Sequence, residues 1–570
     1  MATIKLIING NEAIGEKGDS VLDVCKKNDI YVPTLCHHDS LTDTGACRLC
    51  LVEIEGQRGY RPACCTVADD GMVVKTDTDE IKRLRRSMIE FLFSERNHFC
   101  MFCEASGDCE LQKVAYAHGI EHAKYDYAQP KVRLDSSRSY FVFDENRCIL
   151  CQRCVRACSE IAGHNVLDLS GRSAETRIIA DLDVPFGESL CTSCGTCLQV
   201  CPTGALFDRA GAYLGRKEQC QFTKSVCSFC SVGCAIDVVT KDNHILRING
   251  DWNGLVNKGV LCVHGRFEPI HNKKERLTKP MIKENNSLKE VELDEAINYI
   301  VEKCKELNIN TDNAVGLISP KATNEEASIF ASIFRKDMIG EFGPHTVLPD
   351  ENRIAKLDDI NSSDCILMYK MDPNNLVIGS FLKLAIHKHN TKLVLVDDEK
   401  NNFDTLSSIK IKPEELDLAK EFLSRASNPL IIYASGISED EVKKLSVLSD
   451  KAKLMGFLSG ANSRGLRNIG INGKVDVSKA KALYVLACDD ELKDNFKRYN
   501  AVFVVLQTSY FTPEVKDADV ILPSPIWAEK SGSITNIDGL VQNITKSLSA
   551  PSGVRTNEET MKLLIDRISS

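Results

Sequence analysis

Residues 148–158 read CILCQRCVRAC and residues 191–202 read CTSCGTCLQVCP. Each contains the run C-x2-C-x2-C-x3-C, and 32 residues separate the two. That is the pattern by which a pair of cubane iron-sulfur clusters is held, the fourth cysteine of each run crossing to the other cluster. The crossing rule predicts one 4Fe-4S cluster on Cys148, Cys151, Cys154 and Cys201 and a second on Cys191, Cys194, Cys197 and Cys158. Pro202 follows the last cysteine as the pattern asks, whereas Ser159 stands at that place in the first run. Zinc ribbons also use C-x2-C pairs, but they need four thiolates on one ion and not three closely spaced ones plus a distant fourth. Disulfide frameworks belong to short secreted chains.

Outward from this stretch, the 570 residues are enough for several domains, and cysteine is unevenly placed. Of 25 cysteines, 22 lie between Cys25 and Cys262, so a cluster-binding half precedes an ordinary globular half. The start, MATIKLIING, shows no basic segment followed by an apolar one, and no apolar run approaches the length of a membrane span. A soluble protein of a reducing cytoplasm is expected, with thiolates kept as metal ligands. A net charge of -9 gives no reason to expect nucleic acid as a partner.

Taken in order, residues 1–76 begin with alternating apolar and polar residues around Asn9-Gly10, a hairpin signal, and SVLDVCKKN reads as a short helix. Then come Cys36, Cys47, Cys50 and Cys64, four thiols with one tight pair on a glycine-bearing loop (TGACRLC). This suits a 2Fe-2S rhomb, whose sulfurs need backbone N–H donors at close range. Through PTLCHH, GACRLCLVEI and RPACCT the stretch resembles the N-terminal ferredoxin-like domain shared by the large iron-sulfur subunit of respiratory complex I, iron-only hydrogenases and NAD-linked formate dehydrogenases. The resemblance implies a β-grasp fold and favours Cys64 as fourth ligand, with Cys65 the alternative. Cys25, on the helix, is expected in the core.

Residues 77–137 open with a helical pattern (DTDEIKRLRRSMIEFLFSERN) whose charges read as a solvated face. It delivers His98, Cys100, Cys103 and Cys109. Three thiolates leave a cubane one ligand short, and imidazole can supply the fourth; the same families carry a histidine-ligated 4Fe-4S cluster here. Their histidine is commonly separated from the first cysteine by three residues, whereas only Phe99 intervenes in this chain. The alternative is that His98 hydrogen-bonds a cluster sulfur while another group ligates. His118 and His122, at i and i+4, are expected to pack or face solvent. Residues 138–210 form the two-cluster ferredoxin-like domain.

Residues 220–275 carry Cys227, Cys230, Cys234 and Cys262, with a hairpin-like segment (AIDVVTKDNHILRINGD) between the third and fourth. This resembles the opening 4Fe-4S domain of molybdopterin oxidoreductases, and Cys220 lies outside the set. Nineteen cysteines and one histidine are thus expected to hold one 2Fe-2S and four 4Fe-4S clusters. From 276 to 570, short apolar runs (AVGLIS, DCILMY, KLVLVD, NPLIIYA, AKLMGFL, KALYVLA, AVFVVLQ, DVILPS) alternate with helical stretches, predicting an α/β region with parallel strands. ERLTKP, TNEEASIF, GANSRGL and DADVILPSPIWAEKSGSITNIDGLVQ continue the resemblance to molybdopterin oxidoreductases. The fold class expected is therefore multidomain α+β and α/β.

That resemblance would imply a molybdenum or tungsten pterin, yet no cysteine occurs at 305–364, where relatives attach the metal, and His264 replaces the lysine that formate dehydrogenases place two residues after the last cubane cysteine. About 300 residues follow the last cluster, fewer than the family's complete catalytic region. Asp372, Asp397, Asp398, Glu399, Asp489 and Asp490 fall at the strand ends that cradle the pterin nucleotide in relatives, and uncompensated carboxylates there would repel a diphosphate. No molybdopterin is expected. His345 and Thr346, read as part of a surface loop, are the positions to test otherwise. The sequence offers no nucleophile with a base and no phosphate loop. The expected function is electron transfer, with no substrate site of its own, in a soluble complex. The resemblance implies a flavin-containing NADH-binding subunit and a small 2Fe-2S subunit as partners. Beyond them it implies ferredoxin or an NADP(H), formate or hydrogen module, in an arrangement that can include electron bifurcation. Two other readings stay open: a truncated formate dehydrogenase catalytic subunit, and a peripheral-arm subunit of a membrane-bound complex I.

Overall fold

Asn9 and Gly10, with φ of 52° and 85°, turn the chain between β1 (Thr3–Ile8) and β2 (Asn11–Glu16), the left-handed pair that a two-residue hairpin needs. The structure, a computed structural model, describes residues 2–122, 124–128, 132–458, 460–478 and 480–569, and they divide into two units, Met1–Cys220 and Gln221–Ser570.

In the first unit the hairpin joins β3 (Leu51–Ile54), β4 (Tyr60–Pro62) and β5 (Val73–Lys75) in a five-stranded sheet of order β2-β1-β5-β3-β4, with β1 and β5 parallel. The helix α1 (Val21–Lys27) starts at a capping box, Ser20 and Asp23 bonding each other's backbone. It buries Val21, Leu22, Val24 and Cys25 against Leu6, Ile8, Val52 and Val74. Next, α2 (Asp79–Glu95) starts at Thr78 and runs along the loop that carries Cys47 and Cys50. Its charges are not all solvated: Arg85 is buried and donates to the carbonyls of Leu49 (2.9 Å) and Leu51 (3.0 Å), and Glu90 is buried as well. The helix fastens itself to that loop through charge-assisted hydrogen bonds, which an amphipathic pattern does not reveal.

The two cysteine runs each enter a helical turn. Thr196–Val200 stops at Cys201-Pro202, since proline cannot donate the next helical hydrogen bond. With Ser159 instead of proline, the first run continues past Cys158 to Ile161, in a widened turn whose last bond goes from Ala162 N–H to the Ala157 carbonyl.

In the second unit Gln221–Val226, Ala235–Lys241 and His244–Gly250 form a three-stranded antiparallel sheet. All eight apolar runs of the C-terminal half are strands, in two sheets rather than one. Ala314–Ile318, Ala482–Cys488, Phe503–Thr508 and Val520–Pro523 belong to a seven-stranded sheet that is parallel except where the hairpin Met281–Glu284/Ser287–Glu290 joins its edge. Cys365–Tyr369, Lys392–Val396, Pro429–Tyr433 and Lys453–Gly456 belong to a five-stranded parallel sheet. Both lie under helices, which explains why their strands are apolar on both faces.

Candidate iron-sulfur sites

The loop after α1 and the single turn Ala63–Cys65 bring four thiols together. The Cys50 and Cys64 sulfurs stand 3.4 Å apart, and the Cys36 thiol lies within hydrogen-bonding reach of Cys47 and Cys64. Leu35 N–H points at Cys47 Sγ (3.4 Å) and Cys47 N–H at Cys36 Sγ (3.5 Å), the backbone donors that cluster thiolates use. Cys65 is exposed, its sulfur 3.5 Å from that of Cys64. Cys25 is fully buried, and burial pushes its thiol up to about 11.

His98, Cys100, Cys103 and Cys109 line one small cavity of about 20 Å³, together with Phe93, Arg147 and Gly204. A Cβ on Gly204 would come within 2.5 Å of Cys103 Sγ, so only glycine lets this backbone pass. The His98 ring bonds the Leu92 backbone, and its Nε2 is buried without a protein partner. Burial, then the nearby Arg147 and Arg96 guanidiniums, lowers His98 to about 4 and keeps the imidazole neutral, the form that ligates metal. His118 caps the helix Glu110–Ala117, one ring nitrogen 2.9 Å from the Val114 carbonyl, and His122 is exposed.

The two cysteine runs interlock. The charges of Cys151, Cys148 and Cys201 bear on Cys154, while those of Cys194 and Cys191 bear on Cys158, so each run's fourth thiol sits with the other run. Leu150 and Gln152 in one run, and Ser193 and Gly195 in the other, take positive φ at matching places, turning amides inward. Leu150 N–H meets Cys148 Sγ and Ser193 N–H meets Cys191 Sγ, both at 3.4 Å. Burial raises Cys148 and Cys158 to about 12, so neither ionises near neutrality without a cation beside it. Iron supplies that cation, and in this respect the donor set fits a cluster. Among the described residues, no three Cys, His, Asp or Glu side chains close on one point as a single ion demands, a different requirement from thiolates standing round a body of several atoms.

Sequence reasoning missed the arginines that connect these sets. Arg156 is 6% exposed and donates to the carbonyls of Thr42, Cys36 (2.6 Å) and Cys151 (3.2 Å). Glu160, one turn on, accepts from Thr42 N–H (2.9 Å) and its hydroxyl (2.6 Å). Arg153, equally buried, makes a bidentate pair with Glu110, the residue after Cys109, at 2.7 and 2.8 Å. The Cys148/151/154/201 set therefore shares walls with the other three of the first unit: through Arg156 with the four-thiol loop, through Arg153 and Gly204 with the His98 cavity, and through Cys154 with Cys197. Within the first unit this set thus has three neighbours. No spacing rule flags a buried arginine.

In the second unit Cys227, Cys230, Cys234 and Cys262 also converge, the charges of Cys230, Cys227 and Cys262 all bearing on Cys234. Cys227 N–H donates to the Cys234 carbonyl (2.9 Å), and Asn257, buried, holds Ala235 and Val260 so that the long excursion returns at Cys262. His264 stacks on Phe229 at 4.3 Å and bonds Glu268 (2.8 Å).

Three of the strand-end carboxylates, Asp372, Asp397 and Asp490, are compensated, whereas Asp489 Oδ1 is buried without a hydrogen-bond partner. Asp490 pairs with the half-buried Lys321 (3.0 Å) and accepts from the Ser319 hydroxyl. Asp372 takes the amides of Asn374 (3.1 Å) and Asn402 (3.3 Å), while Asp397 takes Glu399 N–H (3.1 Å) and the Asn401 side chain (3.0 Å). Loop amides of the kind a diphosphate would bind are occupied by the chain's own side chains. The loop with His345 and Thr346 is not a simple surface loop either: Thr346 is buried and donates to the Phe457 carbonyl (3.1 Å), and His345 packs on Gly473.

Comparison with known families matches residues 1–79 to a 2Fe-2S iron-sulfur cluster binding domain and 85–124 to the NADH-ubiquinone oxidoreductase-G iron-sulfur binding region. Residues 140–207 match the ferredoxin-like domain of NADH-quinone oxidoreductase subunit 3, and 220–269 the molybdopterin oxidoreductase Fe4S4 domain. Residues 276–567, just over half of the chain, match molybdopterin oxidoreductase itself. An NADH-quinone oxidoreductase subunit of Rhizobium meliloti (strain 1021) is 32% identical over 443 residues, covering 74% of this chain and 50% of the relative. A putative formate dehydrogenase of Staphylococcus aureus (strain Mu50) is 31% identical over 371 residues, 58% of this chain and 37% of the relative. The chain thus spans half or less of the length of these relatives. Among solved structures, a chain of an NAD+-reducing NiFe-hydrogenase in the H2-reduced state is 35% identical, covering 38% of this chain and 91% of that one, with a TM-score of 0.36. Among the described residues, no helix is long and apolar enough to cross a membrane.

Proposed function

This chain belongs to the molybdopterin oxidoreductase family, and from that membership we propose that it is an iron-sulfur electron-transfer subunit without a pterin site of its own. Cys36, Cys47, Cys50 and Cys64 hold a 2Fe-2S cluster, and His98, Cys100, Cys103 and Cys109 hold a 4Fe-4S cluster through three thiolates and His98 Nε2. The crossed sets Cys148/151/154/201 and Cys191/194/197/158 hold two more, and Cys227, Cys230, Cys234 and Cys262 the fifth. When bound, the clusters supply one-electron transfer. The chain's residues space them, exclude water from them and aim N–H donors at their ligands.

The observation that carries the proposal is the interlock of four such sets within one unit, with Arg156 touching Cys36 and Cys151 at once. Charge passed to the central set has three places to go, a layout suited to joining several redox partners. The C-terminal half does not fit a pterin nucleotide: Lys321 is committed to Asp490, loop amides are capped by Asp372 and Asp397, and His264 is committed to Phe229 and Glu268. Its role is to enclose the fifth cluster and to present a docking surface. As partners we read a flavin-containing NADH-binding subunit and a small 2Fe-2S subunit, with ferredoxin or a further redox module beyond, in a soluble cytoplasmic complex. Purifying the native assembly and identifying its subunits tests this. A flavoprotein that reduces this chain's clusters with NADH supports it, and formate-dependent dye reduction by the chain alone overturns it.

A further inference from the structure

We propose that the 2Fe-2S site has two interchangeable fourth ligands, Cys64 and Cys65, so that the cluster survives loss of either; this rests on the cluster assignment given above. The two sulfurs are 3.5 Å apart, and Cys64 lies 3.4 Å from Cys50 on the buried side. Cys65 does not point away into solvent like an ordinary exposed thiol: a Cβ placed on Gly45 would meet its sulfur at 3.0 Å, so it lies over the same TGAC loop that brings in Cys47. Gly45 has φ +60°, and its missing side chain leaves the room that Cys65 uses.

The backbone is pinned on both sides of the pair. Ala63 N–H donates to the Cys50 carbonyl (2.8 Å), and the Thr66 carbonyl accepts from Val21 N–H (2.8 Å) while its hydroxyl donates to the Pro62 carbonyl (2.9 Å). Between these anchors the two sulfurs stand 3.5 Å apart, the distance over which one has to replace the other. The exchange is balanced without a redox partner: the Cys65 thiol forms an iron–sulfur bond and gives up its proton, and the Cys64 sulfur leaves iron and takes one up. Cys64 is the buried ligand and Cys65 the one that water and thiol reagents reach, so this corner of the cluster is open to ligand exchange.

The experiment uses the full chain reconstituted with iron and sulfide, with readouts by the electron paramagnetic resonance signal of the reduced 2Fe-2S cluster and by iodoacetamide labelling followed by mass spectrometry. In the wild type, Cys65 is labelled while the cluster is loaded. In Cys64→Ala the 2Fe-2S signal persists at near-stoichiometric amount, and Cys65 becomes protected until a chelator strips the iron. Cys65→Ser keeps the signal, and Cys64→Ala/Cys65→Ser loses it. If Cys64→Ala alone abolishes the signal with the four 4Fe-4S signals intact, the exchange is refuted. Cys36→Ala separates the two claims: a 2Fe-2S signal that survives it refutes the assignment of the site and not the exchange alone.

Discussion

Replacing Arg156 by methionine removes one side chain from a place where two cluster loops meet. The guanidinium is 6% exposed and serves three carbonyls, of Thr42, Cys36 and Cys151. A hydrogen bond from a charged donor contributes about 1.5–3 kcal/mol, and an acceptor left buried without one costs about 1–3 kcal/mol. Against this, methionine no longer has to bury a charge, which returns several kcal/mol. The balance for the junction comes to about 3 kcal/mol, felt where Thr42 and Cys36 face the turn that carries Cys154 and Cys158. In native-state hydrogen exchange of the loaded chain, where amides report local opening, about 3 kcal/mol corresponds to roughly 100-fold faster exchange. That acceleration is expected for amides 35–50 and 150–158 and not for the distal hairpin Thr3–Glu16. Arg156→Lys should recover only part of it, since an ammonium cannot reproduce the planar fork that reaches separate carbonyls. Exchange within threefold of the wild type at residues 35–50 would show that Arg156 does not fasten these loops, and that link between the two sets would fall.

Three other perturbations are independent of it. His98→Ala should leave the cavity with three thiolates and cost about one iron at that site, seen as a changed resonance signal at unchanged circular dichroism, while His98→Cys restores the iron; unchanged iron in His98→Ala would make the histidine a neighbour and not a ligand. The crossing of the runs predicts non-additive losses: Cys148→Ala/Cys201→Ala should lose iron from one cluster only, no more than about four atoms, whereas Cys148→Ala/Cys158→Ala should lose it from two. In the second unit Glu441 accepts from Lys370 (2.8 Å) and from Ser438 N–H (2.9 Å), the lysine being the stronger influence, and together they lower its carboxyl to about 2. A depressed carboxyl stabilises the fold above its unfolded value of about 4.3 and loses that contribution as pH falls through about 2. Glu441→Gln should therefore cost about 1 kcal/mol at pH 7, after allowance for solvent screening, and its melting temperature should converge with the wild type's as pH falls toward 2.

The thiol sets were legible because cluster ligation imposes fixed spacings, and in the structure Cys201 lies near Cys154 while Cys158 lies near Cys191 and Cys194. The hairpin at Asn9-Gly10 and the eight apolar strands were equally plain, since left-handed turns and two-sided burial restrict composition. What escaped were residues whose meaning depends on distant partners. Arg85, Arg153 and Arg156 look like solvated charges in any local window, yet each is buried and bonds residues far away in sequence, Arg156 doing so 120 residues away at Cys36. Asp490 looked like a bare repulsive charge until Lys321, 169 positions earlier, was found beside it. Ser159 registered as a departure from a motif, but its consequence, a helix that runs on to Ile161 and so places Glu160 against Thr42, appears only in three dimensions.

Metal analysis of the fully reconstituted chain tests the central claim most directly. The account predicts about 18 irons per chain, two for the rhomb and four for each cubane, with molybdenum and tungsten below stoichiometric amounts even after expression in a host supplied with both. A stoichiometric heavy metal, or an iron content that fits fewer than five clusters in a sample with no free thiols among the nineteen assigned cysteines, would contradict it.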